Sequence, residues 1–168
     1  GVMGLFDGAG PANAGSTADL AAMLGWPVVL VVDIARQSGS AAALVEGFAN
    51  HRSDVTVAGV ILNRAASARH AEAADDAIAT ALPRIKRLGW LPRDTGLVLP
   101  ERHLGLVQAG EHGDLERFLD AAAAAVAAHI DIRAVLDLAA PATLIEPGEE
   151  RAAPLPILGR RIAVARDE

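Results

Sequence analysis

The chain has no cysteine and no tyrosine among its 168 residues, and aromatics amount to 3%. Without cysteine there is no disulfide, no thiolate metal site and no cysteine nucleophile. With so few aromatics any core must be aliphatic, and a hydrophobic content of 52% supplies it. There is no apolar run of the roughly 20 residues that a helix needs to cross a bilayer. A basic segment leading into an apolar stretch and a cleavage site is missing as well. The formal net charge is −6, whereas a nucleic-acid surface needs basic stripes. Neither G-x-x-x-x-G-K-[ST] nor G-x-G-x-x-G occurs, so the usual cradle for nucleotide phosphates is not in these residues. The expectation is one main cytoplasmic domain with an aliphatic core and no nucleic-acid or membrane partner.

What is present is a set of continuous aliphatic runs. "GVMGLFDG" suggests a strand over residues 2–7 ending on Asp7, followed by a glycine-rich turn. "PVVLVVD" (27–33) ends on Asp33, "VTVAGVILN" (55–63) on Asn63, and "RLGWLPRD" (87–94) on Arg93 and Asp94. Continuous rather than alternating runs suit parallel strands buried on both faces. Helices are expected between them at 16–25, 40–51 and 69–82. In the first, Ser16 is the N-cap, Asp19 completes a variant capping box and Gly25 closes the helix. The repeat is β-α-β-α-β-α-β, an α/β fold with a mainly parallel sheet. Beyond it, a loop over 100–113 precedes a helix over 114–130. Leu115, Phe118, Leu119, Ala122, Val126 and Ile130 share a face of that helix. A second helix over 131–139 is capped by Asp131. Residues 140–159, rich in proline, have linker composition. "RRIAVARDE" (160–168) opens another strand.

Ligands of open parallel sheets bind outside the carboxyl ends of the strands. Strand direction alone therefore gathers Asp7, Asp33, Asn63 and the Arg93–Asp94 pair on one edge. Asp7 and Asp33 are oxygen donors for Mg²⁺. Asn63 can donate to and accept from a purine edge. Arg64 and Arg93 suit phosphate or carboxylate. Singly, each also has a plain structural explanation, since Asp and Asn commonly cap helices and make turns after strands. It is the succession of strand ends that favours a nucleotide-type site. Ser16 and Thr17 lie at a helix N-terminus, which attracts anions. In "LPERHLGL" (99–106), Arg102 and His103 form either a helix-entry loop with an internal ion pair or a carboxylate-binding loop. The remaining histidines, His51, His70, His112 and His129, lack ligand spacing and read as surface or helix-end residues.

"GVMGLFDG", "GSTADLA", "PVVLVVD", "AGVILNR", "LPRD" and "LPERHLGL", in this order and spacing, resemble the cobyrinic acid a,c-diamide synthases and their relatives acting on hydrogenobyrinic acid. The resemblance runs over residues 1–139 and resumes at "RIAVARDE". It implies a P-loop NTPase fold like that of dethiobiotin synthetase. It also implies ATP- and Mg²⁺-dependent activation of corrin-ring carboxylates as acyl phosphates, then attack by glutamine-derived ammonia. Asp7 matches the acid near Mg²⁺ and the reacting carboxylate, and Asn63 the adenine-reading residue. Pro92 and Arg93 match the completion of the adenine pocket. Two alternatives remain: a cobyric acid synthase amidating other corrin side chains, and a non-catalytic nucleotide-binding or scaffold module.

The sequence departs from the family by lacking its P-loop unit and the glutaminase domain with its cysteine. Residues 1–139 are therefore expected to be a partial amidation domain, 140–159 a linker and 160–168 the first strand of a glutaminase. A sheet without its central strand exposes an apolar edge, so self-association is expected there. The 168-residue chain alone is expected to show no glutamine- and ATP-dependent amidation; measurable amide formation by it would contradict the reading.

Overall fold

The computed structural model describes residues 4–97, 101–102, 105–106 and 114–142. Three parallel strands form the sheet in the order β1 (Val28–Asp33), β2 (Val57–Ala65), β3 (Lys86–Pro92). Helix α1 (Thr17–Leu24) precedes β1, α2 (Ser40–Asn50) joins β1 to β2, and α3 (Ala68–Ala81) joins β2 to β3. Helices α4 (Leu115–His129) and α5 (Ile132–Leu138) follow. The α/β class and the parallel pairing agree with the aliphatic runs. A small antiparallel pair, β4 (Glu101–Arg102) with β5 (Gly105–Leu106), lies within the segment expected as a loop.

The central strand explains the layering. Val60 and Leu62 are buried with Ala41, Ala42 and Val45 of α2 and Ala71, Ala74 and Ile78 of α3. Successive strand residues point to opposite faces. A Cβ on Gly59 would lie 3.0 Å from Leu138 Cδ1, so α5 covers the other face. Alanines dominate the inward stripes of α2 and α3, which lets these helices approach the sheet closely. Ser16 Oγ accepts from the Asp19 amide while the Asp19 carboxylate accepts from the Ser16 amide, the reciprocal cap expected for α1. Gly25 ends that helix at φ 65°. Asp131 caps α5 by accepting from the Ala134 amide. In α4, Leu119 is 49% exposed although its spacing assigned it to the apolar face.

The strand expected over residues 2–7 does not form in its described part. Of residues 2–7, residues 4–7 are described, and they form a turn. The Asp7 amide donates to the Gly4 carbonyl at 3.2 Å, and the Gly4 amide donates to the Asp7 carboxylate at 3.0 Å. These backbone groups are satisfied locally, with no ladder partner, so extended pairing does not form. The aliphatic run supplies burial instead: Leu5 packs with Ala18 and Val55. Among the described residues β1 pairs only with β2, and Val31 on it is 62% exposed. The proposed linker and the 160–168 strand lie outside the described residues.

Gly89 sits where β3 carries an extra residue, between the Val60–Arg87 and Leu62–Trp90 pairs. Its φ is 120°, and a Cβ there would lie 2.2 Å from the His129 carbonyl oxygen. The tight approach joins α4 to the sheet through a Gly89–Ile130 bridge. Gly89→Ala should destabilise the full-length protein by about 2–3 kcal/mol, read as a lower urea midpoint at unchanged slope.

Candidate functional site

The three strands run in one direction, so their carboxyl ends lie side by side. Asp33 is in register with Asn63, and Ala65 with Pro92. The Arg93 amide extends the pairing by donating to the Ala65 carbonyl at 2.9 Å. Asp33, Asn63, Arg64, Pro92 and Arg93 thus share one edge, as strand direction implies.

The backbone at this edge is irregular in a specific way. Between Leu62 and Ala65 the strand carries one residue more than its partner, a β-bulge. Arg64, within it, has φ 61°, a left-handed conformation that costs a non-glycine residue about 1–3 kcal/mol. The Asn63 side-chain oxygen accepts from the Arg64 amide at 2.9 Å. The Arg64 guanidinium donates to Asp33 Oδ2 at 2.8 Å, with both side chains about half exposed. An exposed pair of this kind contributes only about 0–1 kcal/mol, less than the upper range of the strain.

Asp33 is engaged differently from the metal ligand expected of it. Its Oδ2 holds Arg64, and its Oδ1 accepts from the Ala35 amide at 2.8 Å. It anchors the guanidinium while each oxygen keeps a further lone pair. The Asn63 carboxamide NH₂ has no hydrogen-bond partner among the described residues.

Asp7 occupies a separate cavity of about 570 Å³, lined among others by Asn13, Ser16, Asp19, His51 and Arg52. Phe6 forms a wall, its ring 5.7 Å from Phe48 and 4.5 Å from His51. Gly8 is required here by close backbone approach, since a Cβ would lie 2.0 Å from the Asn13 carbonyl oxygen. Asp33 does not line this cavity. Ser16 and Thr17 are less open to an anion than their position suggests. The Asp19 carboxylate already takes the Gly15 and Ser16 amides, and Ser16 Oγ takes the Asp19 amide. Ser16 is buried and Thr17 exposed. The backbone of Arg102 lies in β4; its side chain and His103 lie outside what is described. Among the described residues no group of three or more His, Asp or Glu is placed to hold a metal.

Sequence reasoning missed three residues. Arg52, after α2, pairs with Asp19 and grips Asp54 with two bonds of 3.0 and 2.6 Å. Gln37 Nε2 donates to the Asp33 carbonyl at 3.0 Å, and His70 reaches Gln37. No motif flags them, because their partners are up to 33 positions away.

The Arg52 hydrogen bond, then the Ser16 amide, hold the Asp19 carboxyl down at about 2 from its ordinary 3.8. Arg52 also holds Asp54 below its usual range. Arg52 itself is raised by both acids, Asp54 first. A depressed folded value gives stability that is full above 3.8 and lost as pH falls through about 2. Asp19→Asn should therefore lower the thermal midpoint at pH 7, and the gap to the unsubstituted protein should close near pH 2.

A family model described as an AAA domain matches residues 7–101. Hydrogenobyrinate a,c-diamide synthase of Rhizobium meliloti (strain 1021) is 58% identical over 99% of this chain and 37% of its own length. The protein of the same name from Brucella anthropi is 54% identical over 100% of this chain and 38% of its own length. That from Sinorhizobium sp is 51% identical over 99% and 37%. The chain thus spans little more than a third of the length of these relatives. No solved structure matches it.

Proposed function

The chain belongs to the AAA-domain family, and from that premise we propose that it is the greater part of the ATP-using domain of a corrin-ring amide ligase. The reaction is glutamine-dependent amidation of the a- and c-acetate carboxylates of hydrogenobyrinic or cobyrinic acid, in cobalamin biosynthesis. The observation that carries the nucleotide reading is the strained bulge at Asn63–Arg64, which presents a carboxamide and a braced guanidinium at the carboxyl edge of a parallel sheet. The relatives' shared name supports the substrate, and favours this reading over the cobyric acid synthase and scaffold alternatives.

A carboxylate is a poor acyl donor because oxide is a poor leaving group, and phosphorylation supplies a better one. Phosphoryl transfer needs positioning and charge neutralisation more than covalent help. Asn63 is suited to donate to the purine edge, with Pro92 bordering it. Arg64 and Arg93 are suited to the phosphate or carboxylate groups. Among the described residues Arg93 makes no ion pair and is exposed.

Mg²⁺ is commonly held by one or two carboxylates together with waters and substrate phosphates. Asp7 fits that demand, since only its Oδ2 is engaged, by Gly4. The ion's chemistry there would be neutralisation of phosphate charge. Asp33 already holds Arg64 and the Ala35 amide, but each oxygen keeps a further lone pair, so it could serve as the second carboxylate. The cavity beside Asp7 is the place for the ring carboxylate, with Ser16 on its border, Thr17 lining the neighbouring cavity that Asp33 also lines, and Arg102 and His103 as further carboxylate contacts. Ammonia comes in this reading from a glutaminase, and self-association would use the open β1 edge. Among the described residues no helix is long and apolar enough to cross a membrane; the cytoplasm is the compartment proposed.

The test is amidation of hydrogenobyrinic acid by the full-length protein with ATP and glutamine. Asp7→Asn should lower turnover on the order of 10²-fold. Asn63→Ala should raise the KM for ATP roughly tenfold, the equivalent of one hydrogen bond. Unchanged turnover in Asp7→Asn would remove the role given to Asp7.

A further inference from the structure

His70 lies in the first turn of α3, half-buried, between two loops at the carboxyl edge. Its Nδ1 faces the Ala66 amide at 3.2 Å. Its Nε2 faces the Gln37 carbonyl oxygen at 2.5 Å. An amide N–H can only donate and a carbonyl oxygen can only accept. The geometry therefore requires Nδ1 bare and Nε2 protonated, the neutral Nε2–H tautomer.

The two partners belong to different loops. Ala66 directly follows β2, next to the Asn63–Arg64 bulge. Gln37 is in the loop after β1, and its own side chain donates to the Asp33 carbonyl at 3.0 Å. Its amide donates to Ile34 at 3.0 Å, and the Ile34 amide donates to the Asn63 carbonyl at 2.9 Å. His70 thus closes a ring of hydrogen bonds from Asn63 through Ile34 and Gln37 back to Ala66. Within that ring lies the strained Arg64 and the acid that braces it.

We propose that His70 is a positioning residue for nucleotide binding: as the Nε2–H tautomer it locks the loop after β1 to the loop after β2. Asp33, Asn63 and Arg64 then meet the ligand already arranged, and ordering them is not charged against binding. His70 touches neither nucleotide nor reacting atoms. The inference rests on the nucleotide reading of this edge.

The test separates a clamp between loops from a local helix cap, using the full-length protein. Asparagine can keep the acceptor for the Ala66 amide but is too short to reach Gln37. Glutamine can reach the Gln37 carbonyl but gives up the Nδ1 position. His70→Ala and His70→Asn should each raise the KM for ATP by about tenfold, with a smaller change in kcat, and His70→Gln should lie closer to the unsubstituted protein. In addition, a long-range ¹H–¹⁵N spectrum of the unsubstituted protein with ¹⁵N-histidine should show His70 as Nε2–H at neutral pH. That readout stands even if a variant fails to fold. Full ATP affinity in His70→Asn would reduce His70 to a local cap and overturn the proposal, as would an Nδ1–H tautomer. If the unsubstituted protein binds no ATP, the nucleotide reading fails and the role of the clamp with it, whereas the wrong tautomer removes the clamp alone.

Discussion

Everything at the candidate site depends on the hydrogen-bonded position of β2, which is paired in parallel on both sides and covered on both faces. A strand so enclosed has no exposed side along its length on which to carry polar groups. Val60, Leu62 and Ala65 are at most 2% exposed, and Ala58 and Ile61 are half-buried. Chemistry can only appear where the strand ends, and parallel pairing puts the ends of β1 and β3 beside it. The site is a consequence of the pairing direction before it is a consequence of any residue.

At that end the strand gives up regularity. The bulge turns Arg64 out of the ladder and across to Asp33, in a backbone conformation unfavourable for arginine. Because the ion pair is half exposed, its attraction is weak, and the arrangement needs other support. That support is the hydrogen-bond ring through Ile34, Gln37, His70 and Ala66. Neutral hydrogen bonds of backbone and His70, little affected by salt, hold the charged groups in place.

A second brace lies away from the sheet edge. Arg52 ties the start of α1, through Asp19, to the end of α2, and so borders the cavity that Asp7 enters. The same Asp19 caps α1, so one carboxylate serves the helix, the ion pair and the cavity wall. Of the first-turn amides of α1, that of Asp19 is taken by Ser16 and that of Ala18 by the Leu5 carbonyl, which leaves less of this helix N-terminus open than its position suggests.

The sequence alone was enough for the elements whose signals are local. Continuous aliphatic runs marked β1, β2 and β3, although β1 is left partly open, with Val31 62% exposed; Ser16 with Asp19, Gly25 and Asp131 marked helix ends, because a cap is made by residues three or four apart. Strand direction then placed Asp33, Asn63, Arg64 and Pro92 on one edge. The run at 2–7 misled, because hydrophobicity records burial but not the ladder partner that makes a strand. Tertiary structure alone decided that Asp33 grips Arg64, that Arg52 joins two acids, and that His70 links two loops. The Asp33–Arg64, Asp19–Arg52 and Gln37–His70 contacts each span more than thirty positions. Such pairings arise only when strands and helices pack, since no short stretch of chain contains both partners.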